Sequence, residues 1–207
     1  MTESSFLSRA VLTLLAYLIG GLPFGYWFVR LRLGKDIRTM GSGNIGATNV
    51  HRTAGGKAGV IVLLLDILKG LLAVWIAWAT SRGDTVTIAL AAAAVMLGHC
   101  YPVFLKFKGG KAVACFIGAF GFIAPLALLA SAAIFVLAVW LKRYISLGSI
   151  VGVAVFPLFF FAIYRPAPAL LGASIFAALL IIYRHRGNIS RLLAGTENVF
   201  SFRKKAA

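Results

Sequence analysis

Five stretches with almost no charge dominate the chain: Phe6–Val29, Val60–Thr80, Val86–Leu105, Val113–Leu141 and Ile145–Tyr164. A run of roughly 18 or more apolar residues is long enough to cross about 30 Å of hydrocarbon as a helix. In that solvent every backbone N–H and C=O must be bonded within the segment, which leaves helices as the economical solution. Of the 207 residues 61% are hydrophobic and 13% charged, whereas a soluble domain carries about 25% charged residues. These runs predict an all-α fold, a polytopic transmembrane helix bundle forming one integral-membrane domain over residues 1–207. No repeat and no linker divides it. The first run is too long, and lacks the small-residue ending, for a cleaved signal peptide, so it is read as a retained span.

The formal net charge is +16 and it is gathered in clusters. Arg30, Arg32, Lys35, Arg38, Arg52 and Lys57 lie between the first two runs. Lys106, Lys108 and Lys111 follow the third, and Lys142 and Arg143 follow the fourth. Arg184, Arg186, Arg191, Arg203, Lys204 and Lys205 crowd the C-terminal end. Short basic loops mark the cytoplasmic face. With all clusters on that face, the N-terminus lies outside, the C-terminus is cytoplasmic, and "SRGDT" (Ser81–Thr85) turns outside. The run of about 29 residues from Val113 to Leu141, interrupted by Gly121 and Pro125, then crosses twice in halves of about 14 residues. "RPAP" (Arg165–Pro168) divides Ile145–Tyr183 into two helices, because proline stops a helix and restricts its predecessor. The favoured count is seven spans, with five as the alternative. The segments 30–58, 106–114, 142–149 and 184–200 then share the cytoplasmic side. Gly21-x-x-x-Gly25 is either a close-packing site or a hinge beside Pro23.

"GSGNIGATN" (Gly41–Asn49) carries the G-x-G-x-x-G spacing of dinucleotide-binding folds in Gly41, Gly43 and Gly46. That fingerprint needs a strand before it and a helix after it. Here a basic stretch without alternation precedes it, so the nucleotide reading fails. Glycines still let backbone N–H groups converge on an anion. Ser42, Asn44, Thr48 and Asn49 add neutral donors, Arg52 adds a fork that fits phosphate, and no acidic residue occurs from Gly41 to Gly59. The competing reading is a flexible loop of turn formers.

Gly109-Gly110-Lys111 resembles the end of a P-loop, yet Leu105 stands at the first glycine position and Ala112 replaces the metal-binding hydroxyl residue. A nucleoside triphosphatase is disfavoured, while an anion beside a helix N-terminus stays reasonable. His99 reads as a satisfied histidine at a span end. His185 and Asn188, three apart, would share a helix face, and the flanking Arg184 and Arg186 would favour a neutral imidazole. A lipid-facing amphipathic helix is the alternative there. Asp66 and Lys69, three apart within the second run, read as a structural ion pair, since an unpaired charge at mid-membrane costs about 3 kcal/mol. Cys100 and Cys115 have no paired spacing, so neither a disulfide nor a metal site is implied. No cofactor and no nucleic-acid partner is expected.

"GSGNIGATNV" with Arg52, "GHCYPVFLKFKGGKAVA", "KRYISLGSI" and "YRHRGNISRLLAGTE" together, in this order, resemble the acyl-phosphate glycerol-3-phosphate acyltransferases, the bacterial PlsY family. The segments "MTESSFLSRA" and the tail after Phe200 have no match in the pattern. The resemblance implies transfer of a fatty acyl group from acyl phosphate to the 1-hydroxyl of glycerol 3-phosphate, the first acylation of bacterial phospholipid synthesis. It gives 1-acyl-glycerol 3-phosphate (lysophosphatidic acid) and phosphate at the cytoplasmic face of the inner membrane. It implies activity roles for Ser42, Arg52, His185 and Asn188. It places Gly109, Gly110, Lys111 and Ser149 with the Gly41–Asn49 loop in phosphate binding, and makes Glu197 structural. Membrane lipids and the enzyme that makes acyl phosphate are the implied partners. Two phosphorylated reactants held together account for an acid-poor cationic site better than lipid anchoring does. The histidine with aspartate five residues on, used by many acyltransferases, is missing: Gly56, Phe104 and Ser190 follow His51, His99 and His185. No carboxylate–histidine pair is evident, so a substrate phosphate is favoured over His185 as the base. An organic-phosphate transporter would also want a basic pocket, but near the membrane midplane. A lipid-binding scaffold is the third reading.

Overall fold

The computed structural model describes residues 3–200, and the basic tail Arg203–Lys205 lies outside them. Ten α-helices follow one another: α1 (Glu3–Gly21), α2 (Phe24–Leu33), α3 (Ala47–Ala54), α4 (Gly56–Thr80), α5 (Thr85–Cys100), α6 (Val113–Ile123), α7 (Pro125–Lys142), α8 (Ile145–Tyr164), α9 (Pro168–Arg184) and α10 (Arg186–Leu193). No strand occurs among the described residues, so the Gly41–Gly46 stretch has no βαβ context.

Five segments are long and apolar enough to cross a membrane: Phe6–Leu33, Gly56–Thr80, Thr85–Leu105, Pro125–Lys142 and Ile145–Tyr164. The 17-residue α9 passes the same test only together with α10, and the two are bent by 56° at their junction. The breaks expected at "SRGDT" and "RPAP" are where α4 gives way to α5 and α8 to α9. The long run after Val113 does break at Pro125, but unequally. Pro125 takes the first position of α7, leaving 11 residues to α6 and 18 to α7. At 1.5 Å per residue α6 spans only about 16 Å, so it is short for a crossing by itself.

Helix pairing follows small residues. The main contacts run α1 to α5, α4 to α6, α7 to α8, and α9 to both α5 and α8. A Cβ on Gly70 would stand 2.2 Å from the Cys115 carbonyl oxygen, and one on Gly118 would stand 1.9 Å from that of Ile67. The α4–α6 backbones therefore touch, which is how helices gain dispersion energy where lipid removes the hydrophobic drive. Between α6 and α8 the rings of Phe116 and Phe120 each meet Phe156 edge-on at 4.9 Å.

A second apolar cluster lies under the first basic loop. Val29, Ile37, Ile45, Val50, Val62 and Leu105 are buried together. Gly25 belongs to this contact: a Cβ there would stand 1.9 Å from the Ile45 carbonyl oxygen. Of the Gly21–Gly25 pair, Gly25 seats the motif loop on α2. The loop is thus anchored to the bundle.

Candidate active site

The first wall of the site is the loop from Gly41 to Asn49 and the helix that follows. Gly41 and Gly43 hold φ +56° and +70°, conformations that disfavour side chains. Asn49 organises the turn from inside. Its Oδ1 accepts the Ser42 N–H at 2.9 Å, and its Nδ2 donates to the carbonyls of Asn44 (2.8 Å) and Met40 (3.0 Å). Asn44 Oδ1 accepts the Gly46 N–H at 2.8 Å. With its amide committed to the loop, Asn49 shapes the cradle, while Ser42, Thr48 and Arg52 face the space in front.

The second wall is the segment between α5 and α6. Its chain turns through non-glycine residues at positive φ, Lys106 (+53°), Phe107 (+61°) and Ala112 (+61°), a strain that native structures keep at functional sites. The Gly109–Gly110 peptides are held from two sides. Their N–H groups donate to the carbonyls of Cys100 (3.2 Å) and His99 (2.9 Å) at the end of α5. Their carbonyls accept from one guanidinium: Arg184 Nη2 to Gly109 O at 2.9 Å and Nε to Gly110 O at 3.0 Å. Arg184 also lies over the Tyr101 ring, 5.0 Å from its centroid. The sequence suggested Arg184 only as a charge beside His185; its clamp on a loop 74 positions away left no local signal.

The third wall carries a polar relay. Lys111 Nζ donates to Asn188 Oδ1. Asn188 Nδ2 donates to Glu197 Oε1 at 2.8 Å, which also accepts the Ser146 hydroxyl at 3.1 Å. Arg191 Nε closes it on Glu197 Oε2 at 2.8 Å. Burial alone would raise the Glu197 carboxyl, but bonds from Asn188, Arg191 and Ser146 outweigh it and leave it below its ordinary value. The structural role expected for Glu197 is therefore specific: it fixes which way the Asn188 amide points. Burial pushes the Lys111 ammonium down to about 8; Glu197 opposes this, and Arg191, Arg52 and Arg184 add to it.

His185 is not on one helix with Asn188. It is the junction between α9 and α10, beyond the end of the span. Its Nδ1 lies 2.8 Å from the Ile181 carbonyl, which can only accept, so Nδ1 holds the proton and Nε2 keeps a lone pair. Burial, reinforced by Lys111, pushes its pKa down to about 4. The imidazole is neutral, as the neighbouring cations suggested, but it is a poor proton acceptor.

These walls enclose a cavity of about 690 Å³. Ser42, Asn44, Gly46, Thr48, Asn49 and Arg52 border it, as do Lys111, His185, Asn188 and Glu197. Ser149 borders it from α8, its hydroxyl bonded to the Ile145 carbonyl at 2.9 Å, and Asp66 borders it from α4. Gly41, Gly43, Gly109, Gly110 and Lys69 do not line it; the glycines shape the loops that do. The rest of the lining is apolar, including Val60, Leu63, Phe116, Ile117, Leu128 and Phe135. The Asp66–Lys69 pair expected from spacing forms at 2.8 Å, fully buried, and Lys69 also takes the Leu22 carbonyl at 2.8 Å, where Pro23 interrupts the helix.

The expectation that no carboxylate approaches a histidine needs correction. His99 Nδ1 lies 3.7 Å from Asp66 Oδ1, and that nitrogen has no hydrogen-bond partner, so His99 is not a satisfied span-end residue either. Spacing missed the approach because it joins α4 to α5. Cys115 completes a group whose ligand-type atoms lie within 4.8 Å of one another. The Lys69 ammonium already matches the Asp66 charge, which argues against a cation there.

The family model for glycerol-3-phosphate acyltransferase matches residues 10–195. A glycerol-3-phosphate acyltransferase of Syntrophotalea carbinolica is 51% identical over 191 residues, 92% of this chain and 96% of that one. That of Geobacter sulfurreducens is 47% identical over 194 residues, covering 94% and 98%. Crystal structures of PlsY (YgiH), an integral membrane glycerol 3-phosphate acyltransferase, superpose with a TM-score of 0.89 at 42% identity for its glycerol 3-phosphate form. The lysophosphatidic acid form gives 0.86 at 41%. Each covers 94% of this chain and 96% of its own. A cavity that joins cationic walls to an apolar slot, on a fold and sequence shared over almost the whole length, places this chain in the glycerol-3-phosphate acyltransferase family as a multi-pass membrane acyltransferase.

Proposed function

We propose that the acyl donor is an acyl phosphate, and that the enzyme esterifies the 1-hydroxyl of glycerol 3-phosphate. The products are then 1-acyl-glycerol 3-phosphate and inorganic phosphate. The observation that carries this reading is the cavity itself: it places an apolar slot directly against walls bearing Arg52, Lys111 and Arg191. A chain of CH₂ groups gains about 0.8 kcal/mol for each one buried, while two phosphoryl groups need the cations. The glycerol 3-phosphate and lysophosphatidic acid forms of the PlsY relative support the same pair of ligands.

In this reading Lys111, set in place by the Gly109–Gly110 turn, holds the glycerol 3-phosphate phosphate. Ser42, Thr48 and Arg52 hold the acyl phosphate, with the Asn44 side-chain amide facing the carbonyl oxygen as charge develops on it. The 1-hydroxyl oxygen attacks the carbonyl carbon, and the carbon–oxygen bond to the phosphate breaks. The hydroxyl proton passes to a phosphate oxygen and leaves with it, so atoms and charge balance. His185 at a pKa of about 4 is too weak a base for this proton. It serves the site as a neutral group, and positioning of the reactants supplies much of the barrier reduction.

The basic loops support a cytoplasmic active site in the bacterial inner membrane, with the N-terminus outside, the C-terminus inside and α6 as a short seventh crossing. Donor supply then falls to a membrane-associated enzyme that makes acyl phosphate. Purified protein given palmitoyl phosphate and glycerol 3-phosphate should release phosphate and lysophosphatidic acid in equal amounts, and acyl-CoA should give neither. Turnover with acyl-CoA alone would overturn the donor assignment.

A further inference from the structure

We infer that His99, whose ring stands between Asp66 and Gly110, is a positioning residue for the Gly109–Lys111 loop, and through it for Lys111. This rests on the proposed role of that loop in holding the glycerol 3-phosphate phosphate.

Three observations converge on His99. Its carbonyl accepts the Gly110 N–H at 2.9 Å. Its imidazole lies against Gly110: a Cβ there would meet Nε2 at 2.0 Å, Cδ2 at 2.8 Å and Cε1 at 3.0 Å. Its Nδ1 is buried without a partner and faces Asp66 Oδ1 at 3.7 Å. The ring therefore stands between a carboxylate on α4 and the loop that precedes α6, and both Asp66 and His99 border the cavity.

The arrangement has a physical logic. A neutral imidazole has two possible tautomers, and a carboxylate beside one nitrogen selects the tautomer and ring orientation that point N–H toward it. Asp66 can do this while ion-paired, because Lys69 is bonded to the same carboxylate from its own helix at 2.8 Å. Charged groups inside a membrane protein are costly and kept where they act. Here they give the loop a floor that cannot slide. Arg184 holds the loop's carbonyls from the other side. Lys111, the next residue after Gly110, inherits its position from both.

Atom-specific replacements test this. The Asn amide reaches the place of Nδ1 and can donate to Asp66, whereas the Gln amide reaches that of Nε2. His99→Ala should raise KM for glycerol 3-phosphate about tenfold or more, the scale of a lost buried packing contact, with a smaller change in kcat. His99→Asn should recover most of that loss and His99→Gln should not. The pair Asp66→Leu with Lys69→Met removes the acceptor without leaving a lone buried charge. It should raise KM similarly, and add little in the His99→Ala background. Recovery by Gln rather than Asn, a loss confined to kcat, or an unchanged KM in the Asp66/Lys69 double variant would each overturn the inference. Failure of wild-type protein to turn over acyl phosphate would instead count against the proposed donor and leave this pattern to be read with whichever donor is active.

Discussion

Gly109 and Gly110 look interchangeable in sequence, and the structure makes them fail in different ways. Neither lies in the left-handed region, so the demand for glycine is one of space. At Gly110 the three nearest atoms belong to the His99 ring, the closest at 2.0 Å. Ordinary contact begins at 3.4 Å, so the ring would have to retreat by about 1.4 Å toward the Asp66–Lys69 pair. At Gly109 the obstacles are the His99 carbonyl oxygen at 2.2 Å, the Pro102 ring at 2.4 Å and the Cys100 carbonyl oxygen at 2.8 Å. Overpacking of this kind costs about 1–3 kcal/mol, or roughly 5- to 150-fold in an equilibrium constant. The assay is the initial rate of purified variants with glycerol 3-phosphate titrated at saturating donor. Gly110→Ala should raise KM within that range in the wild-type background but by less than about threefold once His99→Ala has removed the ring. Gly109→Ala should carry an equal or larger penalty in both backgrounds, since no side-chain deletion clears a carbonyl. Equal penalties for Gly110→Ala in the two backgrounds would refute the geometry.

Two further outcomes follow from the charges. The Lys111 pKa of about 8 means that KM for glycerol 3-phosphate should rise above pH 8, about tenfold per unit, as the ammonium is lost; Lys111→Arg should remove this limb, because guanidinium stays charged. For folding the sign is opposite: the folded value lies below the ordinary 10.5, so this group's contribution to the stability of the free protein grows as pH rises from about 8 toward 10.5. Asp84→Ala should lower thermal stability by about 1 kcal/mol without changing turnover, because Asp84 caps α5 through the Thr87 N–H and pairs with Arg9 at 3.1 Å, far from the cavity; calorimetry and a rate assay on the same sample check both halves.

The spans were legible because the hydrocarbon thickness acts on the sequence directly, through run length and charge. The turns at Ser81–Thr85 and Arg165–Pro168 were legible for a related reason: charge, glycine and proline punctuate a chain locally. The unequal division of Val113–Leu141 was not, since Pro125 fixes where α7 starts but not how far α6 must reach. Site residues on the loops were legible as residue types suited to phosphate, and most of them border one cavity. Their partners were not. Asn188 meets Lys111 across 77 positions, Ser146 meets Glu197 across 51, and Asp66 meets His99 across two helices. Such contacts depend on helix rotation and crossing, which small residues such as Gly70 and Gly118 set jointly. His185 illustrates the intermediate case. Its neutral state could be argued from neighbouring arginines, but the larger cause is burial at a helix junction that spacing alone had read as a continuous helix.

The acidic residues complete the argument about what the cavity is for. The chain has five Asp and Glu, and each of the four from Asp36 onward is paired with its own cation. Asp36 is matched by Arg38, Asp66 by Lys69, Asp84 by Arg9 and Glu197 by Arg191. Among the described residues no carboxylate is within 4.0 Å of Arg52 or Lys111. Lys111 is bonded instead to a neutral amide whose orientation Glu197 fixes, which keeps its charge uncancelled and aimed. A cluster serving only to attract anionic headgroups would need no such relay, because headgroup attraction works at the surface and falls off within a Debye length. A partly buried ammonium bonded to a neutral acceptor at Lys111 and an exposed guanidinium at Arg52, set against a slot of apolar side chains, gain most when a molecule brings both phosphate and hydrocarbon. In the reaction proposed above, acyl phosphate and lysophosphatidic acid would each do so, one entering and one leaving, with glycerol 3-phosphate supplying the second anion between them.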